Sequence, residues 1–116
     1  MEAARVQDTS LGRICISSHA IAQIVERTAS ECYGVVGLGS GRRARRLFPL
    51  ARPRAVEMEQ SSDGIALALR IVVAYGLNLA EVAASVHSRV SYDVQRLTGL
   101  PVSSLEVRID DLRAPK

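Results

Sequence analysis

Apolar residues along this chain follow two different spacings, and the switch from one to the other marks the predicted elements. Gly12-Arg13-Ile14-Cys15-Ile16 alternates like a short strand, after which Ser17 and Ser18 offer hydroxyls to cap the free amides of a helix start. Ile21, Ile24, Val25, Thr28 and Cys32 then form one stripe at helical spacing, while Gln23, Glu26, Arg27 and Ser30 cover the reverse side. Gly34 stops this helix, and Val35–Leu38 fits a short strand. Between Gly39 and Arg54 the pattern dissolves into glycines, arginines and two prolines, as in an exposed connection. Alternation returns at Val56–Glu59, and Ser61-Ser62-Asp63-Gly64 supplies turn chemistry before the apolar run Ile65–Val73, which predicts a β-hairpin. The second strand of that hairpin is apolar on both sides in its last part, so it is the candidate for a central position. Tyr75-Gly76 breaks the strand and Asn78, followed by Glu81, caps a second helix. Its stripe is Leu79, Val82, Ala83, Val86, Val90, Val94 and Leu97, with Ser85, Ser88, Tyr92, Gln95 and Arg96 turned away. Gly99 ends the helix, Pro101 prevents its resumption, and Val102–Ile109 alternates as a closing strand.

Two one-sided helices must bury their stripes on one sheet face. The pattern therefore predicts an α+β fold, a two-layer sandwich with both helices on one face of a mixed or antiparallel sheet, in the order β-α-β-β-β-α-β. Residues 1–11 read as a flexible arm, 12–112 as a single domain with an exposed Arg-rich loop over 39–54, and 113–116 as a tail. A chain of 116 residues with 47% apolar composition suits one such domain. Its N-terminus lacks a signal-peptide apolar stretch, and no run approaches the length of a membrane span, so a cytoplasmic location is expected.

Charge is unevenly placed. The formal net charge is +3, yet Arg42, Arg43, Arg45, Arg46, Arg52 and Arg54 all fall in one segment with no acidic neighbour. The basic character belongs to that loop. Arg42, Arg43, Arg45 and Arg46 form a candidate anionic surface contact, for phosphates of lipid or nucleic acid. The loop's glycines do not make a phosphate loop, because the GxxxxGK[ST] pattern is absent.

Evidence for a reaction is thin. His19 and His87 are the histidines, too few for a His-rich metal site, and Cys15 and Cys32 lack CxxC spacing. Both thiols are expected to be reduced and buried. Glu57 and Glu59 share a strand face, and a solvated sheet edge explains them as well as a catalytic dyad does. Tyr75, Gly76 and Asn78 have a structural explanation: a strand-to-helix corner needs backbone freedom, a cap and an aromatic to plug the layer edge.

The order of these motifs resembles the bacterial alkaline-shock or envelope stress response proteins, found mainly in Gram-positive organisms. The resemblance spans residues 12 to 112. It is carried by Ile71–Val73 running into Tyr75-Gly76-Leu77-Asn78-Leu79, by Leu97-Thr98-Gly99-Leu100-Pro101-Val102, and by Leu105–Ile109. Ile16-Ser17 and Gly34-Val35 match the family's opening element, with Cys32 standing where a hydrophobic residue is usual. The resemblance implies a protein that is not an enzyme and has no cofactor. It implies assembly with itself or with membrane-anchored relatives beneath the cell envelope, as a scaffold or adaptor.

The outer face of the second helix, around Arg89, Tyr92 and Arg96, is the candidate protein interface, with a free sheet edge as the other route. Homo-oligomers and peripheral contact with an anionic membrane fit the same picture. The alternative is a small RNA-binding module using the Arg-rich loop. Against it stand the few aromatic residues and the lack of an RNP-like pair or a GxxG loop between helices.

Overall fold

A computed structural model describes residues 3–9, 11–39, 55–61 and 63–114. Its strands are β1 (Ala3–Thr9), β2 (Gly12–Ser17), β3 (Val35–Leu38), β4 (Val56–Ser61), β5 (Gly64–Ala74) and β6 (Val102–Arg113). The helices are α1 (Ser18–Ser30) and α2 (Leu79–Thr98). The α+β class and the succession of helices and strands are those expected, with one strand added at the front.

Both helix starts are capped as the sequence indicates. Ser17 accepts the Ala20 N–H at 3.1 Å and Asn78 accepts the Glu81 N–H at 3.2 Å. Helix α1 closes at Glu31, before Gly34, because the Glu31 N–H still reaches the carbonyls of Arg27 and Thr28. Gly99 takes a left-handed conformation, φ 74°, and its N–H closes α2 on the Gln95 carbonyl.

β5 is the centre of a mixed sheet. It pairs in parallel with β6 along one side and antiparallel with both β4 and β3 along the other. Helix α2 makes the long crossover that a parallel pair requires. β3 and β4 lie end to end: Leu38 faces Ile71, Val56 faces Leu69, and the residue between, Arg70, accepts from the Gly39 N–H and donates to the Ala55 carbonyl, both at 2.8 Å. Gly39 and Ala55 thus share the place of a single residue opposite Arg70. The chain leaves the edge of the sheet at Gly39 and rejoins it at Ala55, so β3 and β4 are two parts of one strand interrupted by the Arg-rich segment.

Ile65, Leu67, Leu69, Ile71 and Val73 alternate along β5 and are all buried, so they point to one face. That face shares a single core with Ile21, Val25 and Ala29 of α1 and Val82, Val86, Val90 and Val94 of α2. Each fully buried aliphatic side chain contributes about 1.5–3 kcal/mol. Both helices therefore cover one face, and among the described residues no element covers the other.

Three expectations change. Residues 3–9, read as an arm, form β1 and pair with β2 as an antiparallel hairpin in which Thr9 faces Gly12, so β2 joins its own two-stranded sheet and not the main one. β6 continues through Arg113, where the Tyr75 N–H donates to the Arg113 carbonyl at 2.9 Å, into residues read as a tail. On α2, Leu79 and Leu97 are 37% and 54% exposed. The buried row Val82, Val86, Val90, Val94 and Thr98 advances four residues at a time and rotates about 40° per step, which carries the two helix ends away from the averaged stripe.

Candidate functional site

Among the described residues, two surfaces outside the core carry candidate side chains: the outer face of α2 and the sheet face opposite the helices. On α2, Arg89, Tyr92 and Arg96 stand on neighbouring turns. Tyr92 is 65% exposed, and the Arg96 guanidinium carbon lies 5.8 Å from its ring centroid. Arg96 also lies 3.5 Å from Asp93, whose other carboxylate oxygen accepts the Thr28 hydroxyl at 3.0 Å. Arg89 lies 3.6 Å from Glu31, which also pairs with Arg27 at 3.6 Å. The structure thus brings the three expected interface residues together and fastens their helix to α1. Sequence reasoning missed Thr28, Glu31 and Asp93 as the fasteners. Asp93 beside an apolar stripe was the available signal.

The remaining candidates are dispersed. Arg42, Arg43, Arg45 and Arg46 lie outside the described residues. Thr98 is buried, donates to the Val94 carbonyl at 2.6 Å and accepts the Leu100 N–H at 3.1 Å, so it shapes the turn into β6. Gly76 has φ 103° and Asn78 is a cap, both of which serve the corner. Tyr75 is 65% exposed, which overturns its expected role as a plug between the layers; Leu77, half-buried against the core, takes that place.

Cys15 is exposed and Cys32 buried, so burial of both thiols was expected wrongly: Cys15 is in the separate hairpin, beyond the core. Burial pushes the Cys32 thiol up from its ordinary value; Arg89 opposes this, and Asp93 and Glu31 add to it. His19 and His87 are exposed. Among the described residues no group of three or more His, Cys, Asp or Glu side chains could hold a metal ion. No described helix is long and apolar enough to cross a membrane.

The bare sheet face carries Ala66, Ala68 and Arg70 along β5, flanked by Glu57 and Glu59 on β4 and by Ser104, Glu106 and Arg108 on β6. Its trough, about 380 Å³, is open and acid-rimmed. Arg108 Nε donates to Glu106 at 2.9 Å, and Arg70 pairs with Glu57 at 3.8 Å.

Comparison with known proteins finds relatives over most of the chain. YloU of Bacillus subtilis is 33% identical over 110 residues, covering 90% of this chain and 92% of YloU. A Streptococcus pyogenes protein, Spy1614, is 27% identical over 111 residues, covering 91% of this chain and 92% of its own. Among solved structures, a copper form of the MamM CTD superposes with a TM-score of 0.57 at 16% identity, covering 85% of this chain and 87% of that one, and so shares the fold. A family model of cell envelope-related function matches residues 6–114, and the chain belongs to that family, the alkaline shock protein 23 family.

Proposed function

We propose that this protein is a non-enzymatic envelope stress adaptor that associates with itself and docks, through Arg89, Tyr92 and Arg96, on a membrane-anchored partner at the cytoplasmic face of the membrane. The observation that carries this reading is the exposed Tyr92 between two arginines on a helix braced against α1. Tyrosine and arginine are the residues that dominate protein interfaces, and a braced helix loses little entropy on docking. Membership of a family of cell envelope-related function supplies the setting. Arg42, Arg43, Arg45 and Arg46 add a peripheral contact with anionic lipid, each contributing about 1 kcal/mol near such a surface.

The RNA-binding alternative loses ground on the bare sheet face. Among the described residues that face offers a base no aromatic platform, and its two arginines, Arg70 and Arg108, are paired with Glu57 and Glu106.

Cell fractionation before and after an alkaline challenge tests the proposal. The intact protein is expected to sediment with membranes, and Tyr92→Ala combined with Arg89→Ser and Arg96→Ser to remain in the soluble fraction while melting within a few degrees of the parent. Intact protein found wholly in the soluble fraction under both conditions would sink it.

A further inference from the structure

We propose that β6 is the self-association edge: it pairs antiparallel with β6 of a second copy about a two-fold axis passing Val107, joining two sheets into one. This rests on the self-association in the proposed function and names the surface that performs it.

Among the described residues β6 pairs with β5 alone, so its outer side presents a row of free backbone donors and acceptors. Register shifts opposite Ile65/Ala66 and Ile71/Val72 frame a regular stretch from Ser104 to Ile109 with no proline or lysine in it to block pairing. Leu105, Val107 and Ile109 face the core yet are only partly buried, as expected of residues whose lateral neighbour is missing.

Charge, together with the end of the regular stretch at Ile109, selects the register. In an antiparallel pair about a two-fold axis normal to the sheet, facing residues lie on the same side, so the axis passes a residue. Centred on Glu106, the pairing sets two carboxylates against each other. Centred on Arg108, it opposes two guanidiniums and puts Glu106 against Asp110. Centred on Val107, it places Glu106 of each copy opposite Arg108 of the other, and Leu105 opposite Ile109. The Glu106–Arg108 pair within each strand, at 2.9 Å, then becomes half of an alternating square of four charges.

The helix layer permits this approach. Asp93 and Arg89 place α1 on one flank of α2, and the opposite flank, at 100° per residue, carries Ala80, Ala84, His87 and Ser91. Three of these four are small, so the second copy's α2 meets little obstruction. The Arg89, Tyr92 and Arg96 face stays open for a different partner.

Sedimentation equilibrium on the full chain tests the assignment. The parent is expected to dimerise at micromolar concentration. Glu106→Arg and Arg108→Glu, each alone, are expected to weaken dimerisation roughly tenfold or more, since each turns two attractive cross-strand pairs repulsive. The two variants mixed are expected to form a heterodimer, because in this register both charged positions of the first variant are basic and face the two acidic positions of the second. Repulsion within each strand persists in that mixture, so recovery reports the contact between copies. A parent that stays monomeric overturns both this inference and the self-association behind it. A parent dimer indifferent to both variants, or variants that stay apart when mixed, overturns the β6 register while leaving self-association standing.

Discussion

Thr28 and Asp93 show how two residues can decide an arrangement of helices. A hydroxyl on α1's buried stripe donates at 3.0 Å to a carboxylate at the margin of α2's, and this fixes how α1 and α2 lie against each other. Thr28→Val keeps the shape and removes the donor; it is expected to cost about 1.5–3 kcal/mol, the range for a hydrogen bond to a charged group, measured by urea unfolding. Combining it with Asp93→Ala should give less than the sum of the single effects, because the two residues share one interaction.

The two thiols predict opposite behaviour. Cys15 should react with iodoacetamide in the folded protein, whereas Cys32, 5% exposed, should be protected until the chain unfolds, as read by mass spectrometry. Because burial raises the Cys32 pKa, the folded state keeps a proton that the unfolded chain releases near the ordinary thiol value of about 8.5. Stability contributed by this group is complete below that pH and falls as pH rises through it. The melting temperature of the parent should therefore decline more steeply above about pH 8.5 than that of Cys32→Ala.

Elements meet closely where the β4–β5 turn passes the start of β6. Gly64 has φ 138°, and a Cβ there would overlap the Pro101 carbonyl oxygen, the same oxygen that accepts the Ile65 N–H at 3.0 Å. Backbone cannot move aside as a flexible side chain can. Gly64→Ala is expected to cost about 3 kcal/mol, at the upper end of ordinary substitutions, whereas Gly99→Ala should cost about 1 kcal/mol for its left-handed cap. Chemical denaturation of both variants checks the ranking. Gly64 was legible in the sequence as a turn residue, but its contact with Pro101, far along the chain, was not. The β1–β2 hairpin escaped for a related reason: its first strand shows no clean alternation, and pairing with β2 supplies the order that periodicity does not signal.

At the scale of the molecule, the edge strand closes across the Arg-rich segment, because Gly39 and Ala55 meet the same residue, Arg70. Deleting residues 40–55 leaves Gly39 opposite Arg70 and carries Leu38 through to Val56 with the alternation intact. The shortened protein is expected to melt at or above the parent's temperature, since a loop-closure cost is removed and Gly39 keeps the place that Ala55 shares with it opposite Arg70. If the arginines contact anionic lipid, the same deletion should abolish salt-sensitive binding to phosphatidylserine vesicles in a flotation assay. A shortened chain that cannot fold would show instead that residues 40–55 contribute to the core.

Local pattern sufficed for both helices and their caps, for β2 to β5 and the start of β6, for the central place of β5 and for the order of the family's motifs, but not for β1. Those features follow from periodicity and local hydrogen bonding, which act over a few residues. Long-range packing was needed to show that β3 and β4 are one strand, that Thr28 meets Asp93 and that, among the described residues, Glu106 and Arg108 stand on a strand paired along one side. Each of these depends on register between segments distant in the chain, and register is set by the joint burial of both helices on β5, a condition that no single stretch contains.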